Sequence, residues 1–276
     1  MLSTISGEKN TDAARAKVLA SLYDCYDSEK RNMCLKEIAA GFVAHNETDA
    51  VFQVMEENQR AARVFESCHV FLHFMGQAAY EKYGSVSEAF RHGSHTCFAG
   101  FYHGVLEGYF MQNNLLTSNT GSFDAIAKKM PSICTEPQSA GAKRDYNECL
   151  HGLGHGLMFA TSGDLPQALK LCDALKGADA QWCYSGVFME NSTSTTNPDH
   201  PSRYLKKDDP LYPCDILDEQ YLHTCYILQS MYFAQLANGD WVKISLYVWT
   251  FLHRIETPAL TGWGRTLWDI VRIRQW

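Results

Sequence analysis

The ten cysteines constrain the fold more than any other feature of the sequence, because eight of them form four closely spaced pairs. Separations of 9 to 15 residues suit a disulfide that joins the end of one helix to the start of the next, where two Cα atoms can approach to about 6 Å. The predicted pairs are Cys25 with Cys34, Cys134 with Cys149, Cys172 with Cys183, and Cys214 with Cys225. The spacing therefore predicts helical hairpins that are stapled by disulfides.

The remaining two cysteines, Cys68 and Cys97, both lie where a second helix of a hairpin is expected to begin. They can bridge neighbouring hairpins or remain thiols beside nearby histidines, in which case either thiol could act as a nucleophile. The alternative is that all ten are free cysteines, buried in the core of a cytosolic protein. The paired spacing favours disulfides, and with them an extracytoplasmic location, secreted or periplasmic.

Short phrases that begin with glycine and a capping residue recur along the chain. They start at Gly84, Gly121, Gly163 and Gly239, and in each a Ser or Asp follows the glycine. Glycine ends a helix readily, and Ser or Asp is a favoured N-cap of the next one. The spacing gives a period of about 38–42 residues, which is typical of helical-hairpin arrays.

The predicted fold is therefore all-α, with about six αα-hairpin repeats in a curved or closed superhelix. We expect one repeat domain over residues 1–243, with an inserted loop at 191–210 that is rich in Ser, Thr, Asn and Pro. Residues 244–276 contain no cysteine and are expected to form an atypical C-terminal capping segment.

The period, the paired helices and the phrase GDLPQALKLC resemble the Sel1 and tetratricopeptide class of helical repeats. This resemblance covers residues 84–236 and implies a scaffold with a concave groove for a peptide or protein. The phrases CLHG (149–152) and WCYSG (182–186) also resemble the zinc-site phrases of lanthionine synthetase cyclases. Their order is reversed here and the chain is short, so that activity is not carried over.

Three pairs of metal-capable side chains stand four residues apart, each a short distance after a cysteine. They are His69 and His73, His103 and Glu107, and His151 and His155. On a helix, residues four apart lie on the same face, so each pair can bind one ion. Similar offsets from successive cysteines place the pairs on one surface of the array if the second helices line it.

The predicted metal ligands are His69, His73, His103, His151 and His155. Glu107 and Glu190 are the predicted catalytic carboxylates, as further ligands or as a general base. Imidazole and carboxylate together suit Zn, Fe, Cu or Mn, and the surplus of ligands favours a dinuclear centre or a catalytic site. The alternative is that these histidines are structural and that the neighbouring glycines only allow close helix packing.

Charge and motifs exclude several classes of function. A net charge of −7 and a pI near 5.9 argue against a nucleic-acid partner. No apolar run reaches the roughly 18 to 20 residues that span a bilayer. The N-terminus lacks the pattern of a secretory signal. Since the cysteines predict an extracytoplasmic location, we expect that a signal has been removed. Phosphate-binding loops, GxSxG elbows and CxxCH haem motifs are absent from the sequence.

The sequence thus predicts an extracytoplasmic metal-dependent enzyme, a hydrolase or an oxidoreductase, that acts on a small molecule or a peptide. One rival is a non-catalytic repeat module that binds a peptide or protein. The other is a metal-carrying protein without turnover.

Overall fold

The computed structural model describes residues 2–58, 60–115, 123–135, 143–193, 202–238, 240 and 242–247, and all regular structure in these ranges is helical, as predicted. The α-helices are α1 (Leu2–Tyr26), α2 (Arg31–Ala44), α3 (Thr48–Asn58), α4 (Ala62–Tyr83), α5 (Val86–Arg91), α6 (Thr96–Gln112), α7 (Asp124–Ile133), α8 (Lys143–Ala160), α9 (Leu165–Cys172), α10 (Ala178–Thr193) and α11 (Glu219–Leu236). A 3-10 helix, Cys214–Ile216, precedes α11, and residues 242–247 are also helical. None of the helices in the described ranges is long and apolar enough to cross a membrane.

The glycine-led turns are confirmed at two of their four predicted positions. Gly84 follows α4 in the left-handed region with φ of 67°, and the side chain of Ser85 then caps α5 by accepting the backbone N–H of Glu88. Gly163 has φ of 75°, and the side chain of Asp164 caps α9 in the same way. Glycine adopts this backbone conformation without steric penalty, which explains its place in both phrases. The glycines predicted at 121 and 239 lie outside the described residues.

All ten cysteines are paired, and all four predicted hairpin disulfides are confirmed, with Cα–Cα distances of 5.4 to 5.8 Å. The fifth disulfide joins Cys68 to Cys97, which connects α4 to α6 across a Cα–Cα distance of 5.8 Å. This pairing removes both cysteines as candidate nucleophiles. Second helices were predicted to begin at their cysteines. Instead, α4, α8, α10 and α11 begin several residues earlier. Five disulfides are typical of a protein in an oxidising compartment outside the cytosol.

The chain divides into two compact units, one up to Val187 and the other from Phe188. In the second unit, Leu211, Phe233, Ala237 and Ile244 form a small apolar core. Ile244 is the first residue of the predicted capping segment, most of which lies outside the described residues. The predicted loop at 191–210 begins later than expected, because α10 continues to Thr193. The repeat array, the superhelix and the domain boundary at 243 remain predictions.

The core of the first unit contains α4 and α6, which touch backbone to backbone. A Cβ added at Gly76 or at Gly104 would overlap backbone atoms of the facing helix. Around this contact, Phe71, Met75 and Phe101 are completely buried. The glycines therefore set the short distance between the two helices. Close helix packing is the structural role that was considered for the glycines near the histidines.

Helices α8 and α10 repeat the same kind of contact. A Cβ at Gly154 or at Gly186 would overlap the backbone of the opposite helix. Gly152 and Gly156, on another side of α8, face the side chains of Leu106 and Phe110 on α6. The glycines thus bring α4, α6, α8 and α10 together in sequence within the first unit.

Replacing both Cys68 and Cys97 with alanine is expected to lower the free energy of unfolding by about 3.5 kcal/mol, since their loop spans 29 residues. The same change at Cys25 and Cys34, whose loop spans 9 residues, should cost about 2.5 kcal/mol. Urea unfolding of the two variants beside the unchanged protein measures both losses. A smaller loss for the longer loop would contradict the prediction.

A second prediction concerns the contact between α4 and α6. Gly104→Ala should destabilise the protein by about 2–3 kcal/mol, because the added Cβ meets the backbone of His73. Gly41→Ala is the matched control: it also lies within a helix, but its Cβ meets nothing within 4 Å. This control should raise stability by about 0.5–1 kcal/mol, as Ala for Gly does in a helix. Thermal unfolding of both variants checks the opposite signs.

Candidate metal centre

Five predicted imidazoles come together where α4, α6 and α8 meet. They form two groups of three, in each of which one ligand atom per residue lies within 4.8 Å of the others. The first group is His69, His73 and His103, and the second is His103, His151 and His155. His103 belongs to both groups. The structure therefore brings together all five predicted ligands, in an arrangement that could hold a metal ion.

Hydrogen bonds fix the ring orientation of the first pair. The Nδ1 of His69 lies 2.8 Å from the backbone oxygen of Cys97, and the Nδ1 of His73 lies 2.8 Å from a carboxylate oxygen of Glu107. Both oxygens are acceptors, so each Nδ1 donates its hydrogen. In a neutral imidazole the other nitrogen, Nε2, then carries a lone pair. The two Nε2 atoms face each other at 3.1 Å.

Two facing lone pairs repel each other unless a cation lies near both. Nitrogens bound to one Zn²⁺-like ion at about 2.0–2.1 Å are about 2.9–3.4 Å apart for angles between a right angle and a tetrahedral one. The 3.1 Å separation of the His69 and His73 Nε2 atoms falls in this range. The pair is thus arranged as two ligands of one ion.

In the second pair, Ser185 fixes the ring orientation of His151. The Ser185 hydroxyl donates to the backbone oxygen of Trp182 at 2.6 Å, so it accepts from the Nδ1 of His151, also at 2.6 Å. The Nε2 of His151 therefore carries a lone pair, and it lies 3.2 Å from the Nε2 of His155. Sequence reasoning missed Ser185. Its signal was present, because Ser185 occupies in CYSG the position that His151 occupies in CLHG.

His103 lies between the two pairs and has no hydrogen-bond partner. Only 1% of the residue is exposed, and both ring nitrogens are buried without a partner. Its ring stacks on that of His155, with centroids 4.1 Å apart and planes 13° from parallel. A buried polar group left unpaired costs about 1–3 kcal/mol. An ion bound to His103 would remove part of this cost.

Burial keeps His103, His151 and His155 uncharged at neutral pH by lowering the pKa of each. Desolvation, followed by the neighbouring imidazoles, lowers the pKa of His103 and of His151 well below the ordinary value. Desolvation and then His73 lower the pKa of His155 to about 3, although Glu107 acts in the opposite direction. Neutral imidazole is the form that binds metal ions. The buried imidazoles are therefore ready to bind a metal at neutral pH without first losing a proton.

The two predicted carboxylates lie in different places. Glu107 is buried, and its two oxygens accept hydrogen bonds from the Nδ1 of His73 and from the Nε2 of Gln77, the latter at 2.7 Å. A carboxylate on the outer nitrogen of a histidine orients that ring as a metal ligand. Glu190 is buried on the part of α10 that belongs to the second unit, and it is in neither histidine group. Gln77 is a further supporting residue that sequence reasoning missed.

A left-handed turn at the start of α6 positions the acceptor for His69. Cys97, Phe98 and Ala99 have φ of 53°, 57° and 60°, so the right-handed part of α6 begins at Gly100. Each such residue costs roughly 1–2 kcal/mol. The turn is held at Cys97 by the disulfide to Cys68 and by the hydrogen bond from His69. No pattern in the sequence indicates this conformation.

The metal-free protein is expected to lose stability as the pH falls below about 6.5. The unfolded chain takes up a proton at each histidine near that pH, whereas His103, His151 and His155 remain neutral in the fold to lower pH, about 3 for His155. Each such histidine lowers the free energy of unfolding by about 1.4 kcal/mol per pH unit within this window. Urea unfolding of chelator-treated protein between pH 7 and 5 measures the slope.

The control for this experiment is His155→Gln, which removes one depressed pKa and keeps a polar side chain of similar size. Its stability should fall less steeply with decreasing pH than that of the unchanged protein. Equal slopes, or a stability independent of pH between 7 and 5, would contradict the prediction. This window lies above the ordinary pKa values of Asp and Glu, so their protonation contributes little there.

Comparison with known protein families, with curated proteins and with solved structures found no match for this chain. The similarity to Sel1 and tetratricopeptide repeats therefore stays a prediction from the sequence. The imidazole cluster, with its ligand spacing and supporting hydrogen bonds, could hold a metal ion.

Proposed function

We propose that the protein is a metal-dependent enzyme that acts outside the cytosol, with His69, His73, His103, His151 and His155 as the metal ligands. The observation that carries this proposal is the contact between the Nε2 atoms of His69 and His73, which lie 3.1 Å apart and both carry lone pairs because their Nδ1 atoms donate elsewhere. Histidines with a purely structural role would be expected to use their buried nitrogens in hydrogen bonds. Both nitrogens of His103 lack one.

The ligand set favours particular metals. All members of both groups are imidazoles, which suit Cu, Zn, Fe and Ni, whereas carboxylate and water ligands suit Mn. The position of Glu107 behind His73, with both oxygens engaged, supports a role in orientation instead of direct coordination. We therefore propose copper, iron or zinc as the bound ion and exclude Glu107 from the proposed ligands.

The same hydrogen bonds favour oxidation or reduction over hydrolysis. Metal-dependent hydrolysis benefits from a carboxylate that can take a proton from the bound water. Glu107 is held by His73 and Gln77, and Glu190 is in neither histidine group. A redox reaction at copper or iron needs no such base. We therefore propose an oxidoreductase.

Burial limits the size of the proposed substrate. His103 and His155 are almost completely buried, while His69 and His151 are half-buried. Among the five histidines, the partly exposed ones are His69 and His151. The proposed substrate is therefore a small molecule that reaches the ion beside these two residues.

The same burial supports a second candidate, a metal carrier. An ion surrounded by imidazoles with 1% and 0% exposure, as at His103 and His155, is well shielded from reactants. A carrier would hold the ion tightly and show no turnover. Metal content alone does not separate the two functions, so a redox measurement is needed.

The protein, purified without a chelator or an affinity metal, is expected to contain at least about one equivalent of a transition metal by elemental analysis, because the ligand groups are preformed. His103→Ala should lose most of this metal, since His103 belongs to both groups. His45→Ala is the control: His45 is an exposed histidine at the end of α2, and it should retain the metal. Absence of metal after reconstitution with copper, iron and zinc would refute the metal centre.

Oxygen consumption then separates enzyme from carrier. The copper- or iron-loaded protein, with ascorbate as electron donor, should consume oxygen catalytically, and the His103→Ala protein, freed of unbound metal, should not. Tight metal binding without turnover, with this donor and with other small reductants, would favour the carrier. His45→Ala again serves as the control, because it should behave as the unchanged protein does.

A further inference from the structure

We propose that His103 bridges two metal ions through its two ring nitrogens, one ion also bound by His69 and His73 and the other by His151 and His155. This inference rests on the proposed metal centre and defines its nuclearity. The first observation is that His103 belongs to both ligand groups, while the remaining four histidines belong to one group each. The second is that both of its buried nitrogens lack a hydrogen-bond partner.

Three of the other four histidines have a nitrogen that is already engaged outside the proposed centre. Nδ1 of His69, His73 and His151 donates to Cys97, Glu107 and Ser185, respectively. Each of these rings can therefore offer only Nε2 to an ion. His103 differs because neither of its nitrogens is used, which leaves two ligand atoms on one ring.

The ring of His103 lies next to the rings of both pairs. The Nε2 atoms converge in two separate pairs, His69 with His73 and His151 with His155. The ring centroid of His103 lies 5.3 Å and 5.4 Å from those of the first pair, and 4.8 Å and 4.1 Å from those of the second. His103 thus contacts both pairs, and it lies closer to the second, where its ring stacks on that of His155.

Bridging requires one proton to leave His103. The neutral ring binds the first ion through its lone pair and keeps one N–H, for which this buried site offers no acceptor. Binding of the second ion replaces that hydrogen, which is released to solvent as a proton, and the ring becomes an imidazolate. No electron is transferred in this step. The negative charge of the ring also reduces the repulsion between the two cations.

The two ion positions are not equivalent. The His69 and His73 side carries the carboxylate of Glu107 on the outer nitrogen of His73, whereas the other side has the neutral hydroxyl of Ser185 on His151. A carboxylate in this position makes the ring a stronger ligand. The first ion is therefore expected on the His69 and His73 side, and the second on the His151 and His155 side.

Titration with Cu²⁺, followed by electron paramagnetic resonance, tests the bridge. Two equivalents should bind, and the integrated signal should rise up to one equivalent and then fall as the second is added, because an imidazolate couples the two unpaired spins. In His103→Ala, the signal should rise in proportion to all the copper that binds. Glu107→Gln is a second variant: it should weaken the first site and keep the loss of signal at full loading.

The outcomes separate this inference from the proposed function. Binding of one equivalent only, or of two whose signals add in the unchanged protein, would overturn the bridge and leave a metal centre in place. Failure to bind any Cu²⁺, Zn²⁺ or Fe²⁺ would overturn both. The titration of the unchanged protein decides the question even if His103→Ala does not fold.

Discussion

Backbone contact between helices through glycine is the constraint on which the candidate centre depends. A Cβ at Gly104 would overlap the backbone of His73, and one at Gly186 would overlap that of His151. Only because α4 lies against α6, and α8 against α10, can Glu107 reach one histidine ring and Ser185 reach another. The same residues that allow close packing thus also determine the ring orientations in the candidate centre.

The sequence predicted the features that depend on local spacing. Disulfides such as Cys172–Cys183 could be predicted because the two cysteines lie close in sequence, at the ends of neighbouring helices. The N-cap at Asp164 could be predicted from the residues beside it. The five imidazoles were predicted for the same reason, since the four-residue spacing of His69 and His73 or of His151 and His155 fixes a shared helix face.

Features that depend on contacts between distant segments were not predictable. Nothing near Cys97 in the sequence indicates the left-handed turn, which is held by a disulfide and a hydrogen bond to α4, some 29 residues earlier. Glu107 was predicted to be a catalytic carboxylate, either a further ligand or a general base. Only the packing of α4 on α6 reveals that its oxygens face His73 and Gln77 instead. Ser185 was overlooked because a serine is rarely informative without its partner.

Without a cation, the buried imidazole cluster raises the free energy of the folded protein. A bound cation would lower it. Uncharged imidazoles buried together leave His103 unpaired and lone pairs opposed, both of which reduce stability in the metal-free state. The Cys68–Cys97 disulfide and the close helix contacts can hold such an arrangement, because α4 and α6 cannot move apart without a large cost in free energy. The fold thereby keeps ligands in place that would otherwise separate, which is what a preorganised metal site requires.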